Sequence, residues 1–323
     1  MEIVTIDEKS GIPLIGLAYL GILTRNDNSL IQIRPTTVCN FYCSFCSTAA
    51  NSINIHPRNF IIEKDYLISW IKEVVDYLGE IDIAHIDSVG EPTTYPDLVY
   101  LVKEIKRLGI KQVSMVTNGT LLNEKLIKEL KQAGLDKVNV SIHSLKEDKS
   151  KQLFGNSSYN IKKVMENIKN LIKKNIEVWL TPVYFPGVNE PDIEDLIRLS
   201  KKLHCNIGIQ KYETHKFGRK MKHVKEEAYH NFYKKINEWE NKFNIQLGFK
   251  AKDIEVKKVK KLPIKFKLNE KIKIQLRSQG WMPNQMIGTS KNRAITVLDC
   301  NKSINSAITV KIIQTKNNIY LAK

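Results

Sequence analysis

The sequence predicts an α/β protein: a partial (β/α)6 barrel followed by a small C-terminal antiparallel β-barrel. Three observations predict it. From Leu30 to about Lys211, short apolar runs alternate with longer segments of helical period, the pattern of βα units on a parallel sheet. Beyond Phe266 the period changes to short runs separated by Gly280, Pro283, Gly288 and Asn317-Asn318, as in a small antiparallel barrel. Finally, Cys39, Cys43 and Cys46 follow the first apolar run directly, at the strand end where barrel enzymes gather their active-site loops.

In order, the spacing predicts six strands: Leu30–Pro35, Asp82–Ser88, Gln112–Thr117, Lys137–Ile142, Glu177–Val183 and Asn206–Lys211. Between them Lys64–Leu78, Leu98–Leu108, Asn123–Ala133, Ile161–Lys174 and Ile193–Leu203 carry apolar residues three and four apart, and right-handed crossovers would curl such a sheet into a TIM-type barrel. A further helix, Glu226–Phe243, closes this domain, expected over 1–249 with its core at about 30–211. A basic linker, 250–265, leads to a second domain, 266–323, with strands at Lys271–Leu276, Ala294–Leu298, Thr309–Thr315 and Asn318–Ala322.

The net charge of +17 is concentrated at one end: 17 Lys and Arg stand against four acidic residues between Lys250 and Lys323. Such a field suits a polyanion. No apolar run reaches the ~18 to 20 residues that span a bilayer, and Glu2, Asp7 and Glu8 occupy the positions where a signal peptide is basic, so a cytoplasmic protein without a membrane partner is expected.

Five cysteines, three of them within eight residues, do not form a disulfide framework. Thiolates suit iron, and three closely spaced ones can hold three corners of a four-iron cubane while leaving the fourth iron open. The competing reading is a zinc knuckle completed by His56, although zinc sites usually pair cysteines in two separated couples.

The spacing C-x3-C-x-aromatic-C, with Phe45 as the aromatic, resembles the signature of the radical SAM superfamily. The resemblance continues along the barrel. Val89-Gly90-Glu91-Pro92 looks like that family's GGEP segment with the first glycine replaced, which in the family holds the amino group of S-adenosylmethionine; Thr117-Asn118-Gly119 resembles its TNG element, and Ser141 its polar residue facing the ribose or carboxylate. Val183 to Glu190 is similar to the fifth-strand loop of the branch containing the molybdenum-cofactor enzyme MoaA. Taken alone, TNG is an ordinary strand-to-helix turn and Ser141 an ordinary N-cap. The resemblance implies a [4Fe-4S] cluster on Cys39, Cys43 and Cys46, S-adenosylmethionine contacts at Phe45, Gly90, Glu91, Pro92, Thr117, Asn118 and Ser141, a ferredoxin- or flavodoxin-type electron donor, and reductive cleavage to a 5'-deoxyadenosyl radical. His143 invites a role facing the substrate, but a lone histidine at a strand end is more often structural.

The segment Phe266 to Lys323 resembles a TRAM domain, an OB-like barrel found on RNA-modifying enzymes, most closely in its final VKIIQTKNNIYLAK. That resemblance implies RNA, tRNA foremost, as partner, with Lys257, Lys258, Lys260 and Lys261 on phosphates and Trp281, Phe266 and Tyr320 stacking on bases. Alternatively the lysines solubilise a surface and Trp281 fills the small core. Methylthiotransferases pair such a barrel with a TRAM domain but carry three further N-terminal cysteines, and the 38 residues before Cys39 contain none. The other reading is a maturase acting on a peptide or small-molecule cofactor precursor; relatives of that kind often carry C-terminal cysteines for auxiliary clusters, and here Cys205 and Cys300 are too few for a cubane.

Overall fold

A computed structural model of the chain describes residues 1–24, 28–248 and 256–323. The first half runs β1 (Glu2–Ile6), β2 (Gly21–Thr24), β3 (Leu30–Arg34), β4 (Arg58–Ile62), α1 (Lys64–Leu78), β5 (Ile83–Ile86), α2 (Leu98–Arg107), β6 (Gln112–Thr117), α3 (Glu124–Ala133), β7 (Lys137–Val140), α4 (Glu147–Phe154) and α5 (Ile161–Lys173). There follow β8 (Glu177–Leu180), β9 (Val183–Tyr184), α6 (Glu190–Leu203), β10 (Asn206–Ile207), β11 (Gln210–Lys211) and α7 (Tyr229–Phe243). The chain ends in β12 (Lys271–Gln279), β13 (Met286–Ser290), β14 (Arg293–Val297), β15 (Ala307–Gln314) and β16 (Leu321–Ala322). The βα alternation is that of a partial TIM-type barrel, and β12–β16 close into a small barrel of their own.

By contact the chain forms two compact units: Met1–Cys39 with Asn51–Val113 and Val256–Lys323, and Asn40–Ala50 with Ser114–Glu255. This division does not follow the linear partition at 249 and 265; position 249 and the first part of the linker, 250–255, lie outside the described residues.

In the first unit β3 pairs in parallel with β5 and antiparallel with β2, and β1 runs parallel to β4. The small barrel has the order β12-β13-β14-β16-β15, with β14 and β16 parallel. Its core packs Phe266, Ile274, Leu276, Ile295, Ile312 and Tyr320. The sequence misses β13 because Gly288 sits in its centre; a Cβ there would lie 2.4 Å from Ile274 Cδ1, so the glycine makes room for barrel packing rather than marking a turn. The N-terminal extension belongs to this unit: Ala294 donates to the Ile15 carbonyl (2.9 Å) and Tyr320 to the Gly16 carbonyl (2.9 Å). Gly16, at φ +134°, permits that approach, since a Cβ would fall 1.9 Å from the Ala294 carbonyl oxygen.

In the second unit β6, β7, β8 and β10 are parallel neighbours. The fifth and sixth predicted strands each break in two, giving a separate parallel pair β9–β11. Pro182, which has no N–H to give a ladder, marks the first break, and Gly208 the second. α3 begins where Asn123 caps the Leu126 amide (2.9 Å) and ends at Gly134, φ +103°. α4 escapes the sequence reading because its apolar residues, Leu153 and Phe154, both sit in the last turn before Gly155. No helix of the described residues is long and apolar enough to cross a membrane.

Candidate iron–sulfur and cofactor site

The loop after β3 carries the three cysteines, none of them in a disulfide. Its first part belongs to the first unit. There the Cys39 carbonyl accepts from Asn51 Nδ2 (2.8 Å), and the Val38 carbonyl accepts from the Glu91 amide (2.7 Å) and the Thr94 hydroxyl (3.2 Å). Gly90 presses against this stretch: a Cβ would lie 2.0 Å from the Val38 oxygen and 2.5 Å from the Thr37 oxygen. The glycine that the close approach requires is thus the retained one, and Val89 stands at the neighbouring, less demanding position. Glu91 is buried at 3% exposure and accepts from the Thr93 amide and hydroxyl (3.0 and 2.6 Å), capping the turn at Pro92. This segment offers a ligand backbone rather than a carboxylate.

The second part of the loop is built into the second unit by α4. The last carbonyls of a helix lack intrahelical partners, and those of α4 are taken by the loop: Tyr42 donates to the Phe154 carbonyl (3.1 Å) and Ser44 to the Leu153 carbonyl (2.9 Å). Gly155, at φ +59°, ends the helix where a Cβ would meet the Tyr42 oxygen at 2.2 Å. The Phe45 ring stands edge-on to His143 (4.7 Å, 86°) and packs on Phe185 (4.8 Å). His143 is fully buried; its Nδ1 accepts from the Val183 amide (3.0 Å), which leaves the neutral ring's proton on Nε2, and burial alone depresses its pKa from 6.5 to about 3. The residue is a structural wedge behind Phe45.

Thr117, Asn118 and Ser141 follow β6 and β7 in this unit. Thr117 Oγ1 accepts from Gly119, and its carbonyl from Ser141. Asn118 donates through Nδ2 to Asn40 Oδ1 (2.8 Å) and accepts at Oδ1 from Thr120. Its side chain therefore positions the start of the cysteine loop.

Arg219 is the feature sequence reading missed. Its amide donates to the Cys46 carbonyl (2.8 Å), Nε to the Cys43 carbonyl (2.5 Å) and Nη1 to the Ala50 carbonyl (2.8 Å), while the guanidinium lies 3.8 Å over the Tyr42 ring. Nothing in the local sequence singles it out, because its partners are backbone atoms some 170 residues away. Ala49, fully buried at φ +52°, adds a left-handed residue to the same loop.

Three thiolates in a supported loop fit a cluster by their donor chemistry. The zinc knuckle lacks the fourth ligand expected of it. His56 is instead buried at 1% exposure with its ring stacked on Trp281 at 3.7 Å. Trp281, 5% exposed and also stacked on Tyr19, is thereby removed from any base-stacking role. Phe266 and Tyr320 (2% and 0% exposed) are removed likewise; a barrel this small needs its large aromatics for its core. Of the linker lysines, Lys257 faces Glu80 at 3.0 Å and Lys260 lies over the Tyr77 ring, whereas Lys258 and Lys261 are exposed. Of the two remaining cysteines, Cys205 has its thiol pushed up to about 11 by burial and Cys300 lies in the small barrel's core.

A partial (β/α) barrel with a three-thiolate loop behind its first parallel strand defines an enzyme class that holds an open-cornered iron–sulfur cluster. The Radical SAM superfamily model matches residues 33–200, and the chain belongs to that family. The family uses a [4Fe-4S] cluster and S-adenosylmethionine and needs a reducing electron donor. The chain is 33% identical over 341 residues to an uncharacterized protein of Methanocaldococcus jannaschii, covering 97% of this chain and 78% of that one. It is also 33% identical over 227 residues to a probable GTP 3',8-cyclase of Saccharolobus islandicus, covering 69% and 68%. Among solved structures, Streptococcus suis SuiB bound to S-adenosylmethionine aligns with a TM-score of 0.55 at 16% identity, over 75% of this chain and 52% of SuiB. A radical SAM methyltransferase from Sphaerobacter thermophilus aligns at 0.53 and 17%, over 69% and 65%. These two likenesses concern the fold, and the chain spans about half the length of SuiB.

Proposed function

We propose that this radical SAM enzyme modifies a nucleotide within RNA, tRNA foremost, and that the small C-terminal barrel and its linker, TRAM-like in sequence, hold the RNA. The supporting observation is charge: 17 Lys and Arg against four acidic residues from Lys250 to Lys323, ten of the basic residues falling in the segment 266–323 that forms the closed β-barrel. With the large aromatics buried, the barrel and its linker engage the phosphate backbone through exposed lysines, Lys258 and Lys261 of the linker among them, rather than by stacking.

Cys39, Cys43 and Cys46 would hold the cluster, and Gly90 would let the backbone of Val89 to Pro92 approach the methionine ammonium, from which its carbonyls can accept. Ser141 would supply a hydroxyl after β7. Phe45, packed on His143 and Phe185, adds an apolar ring to the cysteine loop. When bound, the cofactors supply a 5'-deoxyadenosyl radical that takes hydrogen from an unactivated C–H bond.

A second reading has one observation in its favour: the likeness to GTP 3',8-cyclase makes a free purine nucleotide the substrate. Mass spectrometry of RNA digests from cells lacking the gene separates the two. A missing nucleoside is the expected result, and an unchanged digest together with conversion of added GTP by the reconstituted enzyme overturns the RNA reading. Dithionite and S-adenosylmethionine should release 5'-deoxyadenosine, and Cys43→Ala should abolish it. Substituting Lys258, Lys260 and Lys261 by Glu should weaken tRNA binding and flatten its salt dependence. Removing the whole tail is a poorer test, because Ile15 and Gly16 lose their backbone partners with it.

A further inference from the structure

Between β11 and α7 a strap, residues 215–225, carries five Lys and Arg and two His with no acidic residue. Glu226 pins its ends by accepting from Lys211 Nζ (2.8 Å) and from the Thr214 amide and hydroxyl (2.9 and 3.0 Å). Its inner face is fixed to the cysteine loop. Arg219 holds the Cys43 and Cys46 carbonyls, Gly218 comes so close that a Cβ would lie 2.9 Å from the Cys46 oxygen, and Met221 and Val224 pack, as Phe45 does, against Leu153, Phe185 and Tyr212. Its outer face is exposed: Lys216, Lys220, Lys222 and Lys225 all face solvent, Lys216 lies over the ring of Phe217 (47% exposed), and Tyr42 beneath Arg219 is 48% exposed.

We propose that this strap is the docking surface for the electron donor, a small acidic protein carrying one low-potential electron. The proposal rests on the family's need for a reductant, not on the RNA reading. Three observations favour this partner. The strap holds the backbone of two residues whose thiols would take cluster corners. An electron arriving at the strap is one hydrogen bond, Arg219 N–H to Cys46 O, from the covalent path to a ligand sulfur. And an apolar centre in a positive rim suits a transient electron-transfer encounter, which needs little area and gains its rate from charge steering. In the step itself the donor loses one electron and the cluster gains it; no bond forms or breaks and no proton moves.

The test replaces Lys216, Lys220 and Lys222 by Glu in the full chain, with a Gln triple variant alongside in case charge reversal impairs folding or cluster loading. Purified acidic flavodoxin, in its hydroquinone form, is the probe. Its second-order rate of cluster reduction should fall about tenfold or more at about 50 mM salt and converge with the parent's near 0.5 M. Flavodoxin binding to the cluster-free chain should weaken in parallel, while dithionite-driven 5'-deoxyadenosine release and tRNA affinity hold. A parent-like flavodoxin rate at low salt overturns the proposal. So does a loss of tRNA affinity as large as the loss of flavodoxin rate, which would assign the strap to RNA.

Discussion

His143 gives the sharpest test of how the cysteine loop is supported. Burial lowers its folded-state pKa from 6.5 to about 3, so on acidification the unfolded chain takes up the proton first. The stability that follows is present above the unfolded value, is lost as pH falls from 6.5 towards 3, and at ~1.36 kcal/mol per pH unit amounts to ~5 kcal/mol at most. Between pH 7.5 and 5.0 the loss is therefore about 2 kcal/mol, a factor of roughly 30 in the unfolding equilibrium. His143→Gln keeps an acceptor for the Val183 amide and removes the titration. Urea unfolding of the parent and the variant at both pH values, on cluster-free chain because thiolate–iron bonds are themselves acid-sensitive, isolates the term as a double difference. A double difference below about 0.5 kcal/mol, less than a third of the expected loss, would refute a neutral, desolvated ring behind Phe45.

Gly90→Ala should cost about 1 to 3 kcal/mol of apo-protein stability by driving the Val38 carbonyl aside, and should weaken S-adenosylmethionine binding by calorimetry more than it lowers iron content. Trp281→Ala should destabilise by about 3 to 5 kcal/mol in thermal unfolding, whereas Trp281→Phe should leave tRNA affinity at the parent's value. Arg219→Ala should speed amide exchange across residues 42–50 by about tenfold, the equivalent of ~1.4 kcal/mol, and Arg219→Lys should restore only part of the protection because it lacks the second donor.

Legibility followed the range of the interaction. α1 was readable to the residue because its signals are local: a periodic apolar stripe, Glu63 capping the Asp65 and Tyr66 amides, and Gly79 after the last turn. The cysteine triplet was readable because its chemistry is written in spacing. α4 was not, since its stability comes from Leu153 and Phe154 reaching the Phe45 neighbourhood and from the loop amides closing its C-terminus. Trp281, Phe266 and Tyr320 misled for a related reason: an aromatic in a basic segment reads alike whether it faces RNA or a core, and the packing partners of Trp281, His56 and Tyr19, lie more than 200 residues upstream.

The same non-local bonds hold the backbone beside each cysteine without help from a metal. In zinc fingers the metal drives folding because nothing else fixes the ligand backbone. Here each ligand carbonyl is already held: that of Cys39 by Asn51, that of Cys43 by Arg219 and the Cys46 amide, that of Cys46 by Arg219 and the Ala49 amide. Fixing the backbone within each unit lowers the entropic cost of ordering that part of the loop when iron arrives. The left-handed Ala49 is consistent with this account. A residue without β-branching tolerates φ +52° at a modest cost, and the surrounding bonds, not the metal, hold it there.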